Sequence, residues 1–494
     1  MDSTLIITFT AFIIVATITV SILYKNKTKG STNLPPGSYR WPILGDSLEF
    51  VSCLKQGSPG KFVRDRMKRY ESPVVKTSIL GEHMVVLCGP DGNKFLFGNE
   101  NKLVAIWWPA SVRKLLGTCL TTTVGAQGMR MRKTVSHFVS PVVFSKLYVE
   151  TIDLVSCQHF DTYWQGKEEV KVHPAVKKYA FEVACRAFMS IDDAAQIKKL
   201  GDLFHVLLDG LICIPLNLPG TGFYYAVRAA AAIKKELGII VQQRRRALEQ
   251  KTASPSQDLL SHLLVTADEN GEFMSESLIV NNILLLLFAG QDTIASTITM
   301  LVKALAQHPE VYEKVLRGTF CHPLLHFTST LSEQNEIASS KKPGEFLQWE
   351  DTQKMKYSWN VVCETLRLWP PVSSGFREAL VDINYGGYII PKGWKLFWNA
   401  PVVHADPNLF PDEKTFDPSR FEGCNNVPYS FIPFGGGPRM CLGKEFARLE
   451  ILSFLHNLIR RFRWELAIPE EGIHSYPVPT PNKGLPIRIH PHKA

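Results

Sequence analysis

The sequence predicts a mainly α-helical domain with a small β-rich subdomain, attached to one N-terminal transmembrane helix. Three observations lead to this. An uncharged apolar run opens the chain, a helical period governs most of the rest, and only a few short stretches alternate as strands do.

From Ser3 to Tyr24 no residue is charged. As a helix rising ~1.5 Å per residue this run reaches about 33 Å, enough to cross a hydrocarbon core of ~30 Å. A cleaved signal peptide would want a positive residue before the run, whereas Asp2 precedes it and Lys25, Lys27 and Lys29 follow. The positive-inside bias then puts everything after Lys25 in the cytosol. Residues 1–24 are read as the anchor and 25–45 as a basic, proline-rich hinge, since Leu34-Pro35-Pro36-Gly37 and Trp41-Pro42 preclude helix. Residues 46–494 follow without linker, repeat or low-complexity tract, and 45% hydrophobic composition is ample for one large core.

The formal charge of +9 is spread along the chain, and the three lysines are the only dense run near an end. That suits anionic membrane lipid or an acidic protein partner. No basic-aromatic module of a nucleic-acid-binding type occurs, so nucleic acid is excluded as a partner. The ten cysteines are scattered without a CxxC pair, so neither a zinc site nor a disulfide framework is expected, and a reducing compartment fits.

Within the domain, Val74–Leu80, Met84–Cys88 and Ile383–Leu396 alternate and carry turn residues, predicting hairpins of a minor sheet. The longest helix begins after Asn270-Gly271 with Ser275 as N-cap and runs to His308-Pro309. Its middle, Ile283 to Gly290, is apolar on every face and is expected to be buried on every side. The uncharged stretch Ser277–Gln291 is too short for a second membrane span.

The segment richest in chemistry is Phe434-Gly435-Gly436-Gly437-Pro438-Arg439-Met440-Cys441-Leu442-Gly443. Three consecutive glycines let the backbone turn tightly and approach a flat partner. The helix predicted from Lys444 to Arg460 aims its N-terminal dipole at the sulfur and favours a thiolate. By itself, a lone cysteine here reads as a buried structural thiol, a nucleophile or a single axial metal ligand, the first being the ordinary case.

Phe434-x-x-Gly437-x-Arg439-x-Cys441-x-Gly443 resembles the haem-binding loop of the cytochrome P450 superfamily at every signature position. Three further elements occur in that family's order: Ala289-Gly290-Gln291-Asp292-Thr293, Glu364-Thr365-Leu366-Arg367 followed by Trp369-Pro370-Pro371, and Phe416-Asp417-Pro418-Ser419-Arg420-Phe421. The resemblance implies the P450 fold, haem b (iron protoporphyrin IX) as cofactor, and Cys441 as axial ligand of the haem iron. It implies NADPH used indirectly, through NADPH-cytochrome P450 reductase, since no flavin or dinucleotide motif is present. Gly290 would leave room for dioxygen, with Thr293 and Asp292 relaying protons; Ile294 departs from the hydroxyl residue usual after that threonine. Glu364, Arg367 and Arg420 would form a buried structural triad. Arg132, Arg377 and Arg439 would hold the haem propionates. At Gly128 many relatives carry an aromatic residue or histidine, so one propionate contact is missing or replaced.

The resemblance is most specific to plant triterpene oxidases of the β-amyrin 28-oxidase type, through Asn93–Phe97, Asn99–Val104, Trp107-Trp108-Pro109, Leu218–Thr221, Lys354–Asn360 and Ile489–Lys493. It implies a monooxygenase of the endoplasmic reticulum membrane, single-pass with a cytosolic catalytic domain, that oxidises a rigid apolar terpenoid such as β-amyrin. Trp107, Trp108, Leu287, Ala289, Val372 and Ser373 would supply walls of a large dry pocket. Leu207–Phe223 would dip into the membrane, and Lys444 and Arg448 would lie on the face that docks the acidic reductase. Taxane-diterpene hydroxylases are the nearest rival resemblance. A peroxide isomerase or dehydratase would generally lack the threonine at 293. Residues 318–332 have no counterpart in the family pattern and read as an insertion, which makes an inactive haem-binding variant the remaining alternative.

Overall fold

The structure is a computed structural model and describes residues 33–38, 45–138, 147–211, 215–317, 333–342, 344–423 and 427–492, with residues 12, 15, 16, 143 and 213. Most of the expected membrane anchor, most of the hinge and the whole 318–332 segment lie outside the described residues.

Six helices frame the site: α1 (Gly125–Phe138), α2 (Val149–Tyr163), α3 (Val172–Met189), α4 (Glu276–Gln307), α5 (Lys356–Leu368) and α6 (Lys444–Arg461). Helix α4 starts where its cap chemistry predicts, with Ser275 Oγ accepting from the Leu278 amide, and stops at His308 before Pro309. It is long and apolar enough to span a membrane, yet most of it is buried inside the protein. Helices α2, α3, α4 and α6 pack together as the centre of the main core. Aromatic rings fill it, with Phe454 touching Phe160, Trp164 and Tyr179.

The minor sheet has five strands: β1 (Val74–Ile79), β2 (Glu82–Leu87), β3 (Val104–Ile106), β4 (Ser374–Ala379) and β5 (Lys395–Asn399), in the order β1-β2-β5-β4-β3. The predicted β1–β2 hairpin is antiparallel with Val74 opposite Leu87. The Ile383–Leu396 region divides: Ile383–Tyr385 and Tyr388–Ile390 form a separate hairpin, while β5 joins the main sheet parallel to β2. The pairing that matters for the site is β3 with β4, which sets Ile106 opposite Arg377.

One expectation fails. The middle of α4 is not buried on every side, because Ala289 is exposed and Leu286, Phe288 and Gly290 are only half-buried. Periodicity reports apolar surface and cannot tell a protein neighbour from the wall of an internal cleft.

Candidate active site

Cys441 sits between a short 3₁₀ turn, Gly437–Arg439, and the start of α6. Its amide donates to the Phe434 carbonyl at 2.9 Å, closing the loop. By surface area Cys441 is exposed, although the chain surrounds it densely. A group on the wall of an internal cleft behaves this way. Burial is the largest influence on the thiol and raises its pKa, opposed by the Gly443 amide and by Arg132.

Two glycines of this loop are also required by a neighbour within the chain. A Cβ at Gly436 would stand 2.4 Å from the Phe97 ring, and one at Gly437 2.4 Å from the Phe97 carbonyl oxygen. Gly437 also has φ +63°. Close approach of Phe97 excludes side chains at these two positions. A Cβ on Gly443 would lie 3.8 Å from the Cys441 sulfur, and Phe434 is half-buried against the helical core.

On α4, a Cβ at Gly290 would meet no atom within 4 Å. Thr293 Oγ1 donates to the Ala289 carbonyl at 2.8 Å, a back-bond to its own helix. Asp292 lies 2.8 Å from the Lys177 ammonium on α3. Ile294 is buried.

Glu364 and Arg367, on α5, are both almost wholly buried and meet in a two-pronged pair, Nε to Oε2 and Nη2 to Oε1, each 2.7 Å. Arg420 Nε stands 3.5 Å from Glu364 Oε1, an ionic contact without hydrogen-bond alignment. Arg367 also donates to the carbonyls of His404, Glu413 and Thr415. The three charges thus tie α5 to the segment that precedes the cysteine loop.

Arg132 and Arg377 each lie near Arg439, and Arg132 lies near Cys441. Arg132 donates to the Met440 carbonyl and is close enough to Arg439 to feel its charge. Arg439 is committed to protein partners: its Nη1 and Nη2 donate to the Leu120 and Thr123 carbonyls at 3.1 and 3.0 Å. A Cβ at Gly128 would lie 2.5 Å from the Thr123 oxygen and 3.3 Å from Arg439 Nη2, so no larger residue fits where relatives carry one. Sequence reasoning missed Glu100, whose buried carboxylate contacts Arg377 and Arg439 at once.

The pocket-wall residues separate into two groups. Ala289 and Val372 are exposed and Ser373 is half-buried. Trp108 is half-buried, and its buried Nε1 has no hydrogen-bond partner among the described residues. Leu287 is fully buried in the helical core, and Trp107 packs edge-to-face on Phe376 with the Lys395 ammonium over its ring. Trp107 is half-buried like Trp108, and on α4 the neighbours of Leu287, Leu286 and Phe288, are half-buried as well. Among the docking residues, Lys444 is half-buried, while Arg448 lies over the Trp359 ring and 3.8 Å from Glu445.

These residues fit a haem. An open-surfaced cysteine, a helix stretch that leaves space at Gly290, clustered arginines and an unpartnered buried indole N–H are the donor set a haem with two propionates would use.

The cytochrome P450 family profile matches residues 35–478. A beta-amyrin 28-monooxygenase of Medicago truncatula is 49% identical over 474 residues, covering 96% of this chain and 95% of the relative. One of Vitis vinifera is 48% identical, covering 98% and 99%. A beta-amyrin 16-beta-monooxygenase of Platycodon grandiflorus is 45% identical over the full length of both. Among solved structures, the retinoic acid bound cyanobacterial CYP120A1 superposes with a TM-score of 0.81 at 33% identity, over 93% of this chain and 99% of that one. With sequence, fold and cysteine loop in agreement, the chain belongs to the cytochrome P450 family and is a haem-thiolate monooxygenase.

Proposed function

We propose that this chain oxidises a pentacyclic triterpene of the β-amyrin type at its 28-methyl group, at the endoplasmic reticulum membrane, using O2 and electrons passed from NADPH through a separate reductase. The observation that carries this reading is the 45–49% identity, over nearly the whole chain, to enzymes named for β-amyrin. The half-buried apolar side chains of Leu286 and Phe288, with the exposed Ala289, suit a rigid hydrocarbon substrate.

Bound haem, ligated by Cys441, supplies the activation of dioxygen. The chain's own residues do the rest. Arg132, Arg377 and Arg439 orient the propionates. Thr293 carries a proton at Oγ1, parked on the Ala289 carbonyl and released by rotation about χ1. Asp292, tethered to Lys177, connects that hydroxyl to the exterior. The apolar stretch before Gly290 excludes water from the reacting carbon.

The test is co-expression with NADPH-cytochrome P450 reductase and β-amyrin, reading products by gas chromatography and mass spectrometry. Oxidation at C-28 is expected. Oxidation at another carbon would overturn the position but keep the scaffold. Turnover of a taxane diterpene with β-amyrin untouched would overturn both.

A further inference from the structure

The turn Asn99–Val104 is one of the stretches most specific to the triterpene-oxidase resemblance, and nothing in the proposed chemistry uses it. It folds tightly, the Asn99 carbonyl accepting from the amides of Lys102, Leu103 and Val104, with Asn101 at φ +61°. Glu100 turns back across the mouth of this turn, and its Oε1 accepts from the Ile106 amide at 3.1 Å. The carboxylate is thereby locked at the end of β3, where Ile106 pairs with Arg377 on β4.

Two guanidiniums meet it there. Arg439 Nε donates to Oε1 at 3.1 Å, and Arg377 Nε lies 2.6 Å from Oε2. Side-chain exposures of 1% for Glu100 and 6% for each arginine show that water does little of the screening. The Arg377 contact is ionic without being an aligned hydrogen bond. Arg377 Nη1 donates to the Phe376 carbonyl and the Nη atoms of Arg439 to Leu120 and Thr123, so each guanidinium has its plane fixed.

The charges then add up in an informative way. Arg132, Arg377 and Arg439 carry three positive charges, Glu100 one negative, and the cluster retains a net +2. Arg132 is half-buried, but the part of that excess carried by the buried Arg377 and Arg439 is costly if left uncompensated. The group that offsets it is one with two carboxylates, as the two propionates of haem are. Without Glu100 the two paired arginines would repel one another and the excess would be +3.

We propose that Glu100 is a positioning residue for the haem: it holds Arg377 and Arg439 by their Nε edges and sets the cluster's charge to match two propionates. The role rests on haem binding alone and is independent of which terpenoid is oxidised.

Two variants separate charge from geometry, each measured on holoenzyme with the parent as reference. Glu100→Gln keeps the length and removes the charge. Ferrous haem-thiolate carries one more negative charge than ferric, so loss of a nearby anion favours reduction. The expected shift is about tenfold in the ferric–ferrous equilibrium, ~59 mV more positive for one electron. Glu100→Asp keeps the charge but withdraws it by one methylene. Its potential is expected to stay at the parent value while haem transfers to apomyoglobin several-fold faster. A Glu100→Gln holoenzyme with the parent's potential, or a Glu100→Asp holoenzyme that loses haem at the parent's rate, overturns the proposal; should the glutamine variant fail to load haem, the aspartate variant decides alone.

Discussion

The Asp292 carboxylate lies 2.8 Å from the Lys177 ammonium, joining the middle of α4 to α3 and turning the acid away from the Thr293 hydroxyl, which donates instead to Ala289. Two groups adjacent in sequence and assigned one proton relay are thus held by different partners. Transfer between them requires motion of one side chain, which a threonine rotation of ~120° supplies.

It follows that Thr293→Ala leaves haem binding intact but uncouples electron use from oxidation, since the hydroxyl touches no ligand of the iron. Product formed per NADPH consumed is expected to fall about tenfold, and the reduced carbon monoxide spectrum to remain that of the parent. An unchanged ratio would remove Thr293 from the relay.

Glu364 and Arg367 are 0% and 2% exposed, so breaking their pair strands a charge in the interior. Glu364→Gln is expected to destabilise the fold by about 3–5 kcal/mol, read by urea denaturation of the haem-loaded protein. Arg420→Gln should cost less, because its contact with Glu364 is longer, at 3.5 Å. The reverse order would show that Arg420 is the principal partner.

Acid should unfold the protein through its buried histidines. His404 Nε2 accepts from the Ile432 amide at 3.0 Å and its Nδ1 faces the Arg367 carbonyl at 3.2 Å, an arrangement only the neutral ring satisfies. Burial, chiefly, lowers its pKa to about 3, as it does for His159 and His456. In the unfolded chain these rings titrate near 6.5. Because the folded pKa is the lower one, their stabilisation is complete above pH ~6.5 and is lost as pH falls towards 3. The melting temperature is expected to drop from pH 7 to pH 5, and His404→Gln to flatten part of that slope. A slope identical in the variant would assign the acid sensitivity elsewhere.

How much of this was legible in the sequence depends on the range of the interaction. The bounds of α4 were, because a serine cap and a proline stop act within one turn of the helix they limit. So was the β1–β2 hairpin, where alternation and the Leu80-Gly81 turn are local. The packing constraint on Gly436 was not legible because the ring that excludes a side chain belongs to Phe97, more than three hundred residues away. Glu100 was passed over for the same reason: it becomes informative only where three remote segments bring Arg377 and Arg439 to it. The exposure of Ala289 was hidden by composition, since an apolar cleft wall and an apolar core have the same residues.

The last prediction concerns residues 318–332, which the sequence marks as an insertion between the helix Pro309–Arg317 and the helix Glu333–Ser340. Both flanking helices pack against each other and against α5. Gln334, one residue past the start of the second, is fully buried; its Nε2 donates to Ser358 Oγ at 2.9 Å and its Oε1 lies 2.5 Å from His456 Nδ1 on α6. The frame therefore resumes at once beyond the segment, with its anchoring contacts in place. Loop length is a weak lever on stability, about 0.6 kcal/mol per doubling. Phe320, Leu324, Leu325 and Phe327 add apolar side chains to a connection that is usually polar, which favours aggregation over any change in chemistry. Deleting 318–332 should therefore raise soluble yield and leave the product and the carbon monoxide spectrum unchanged, with a melting temperature equal to or above the parent's. A deletion that melts lower, or that oxidises a different carbon, would make the segment part of the working enzyme.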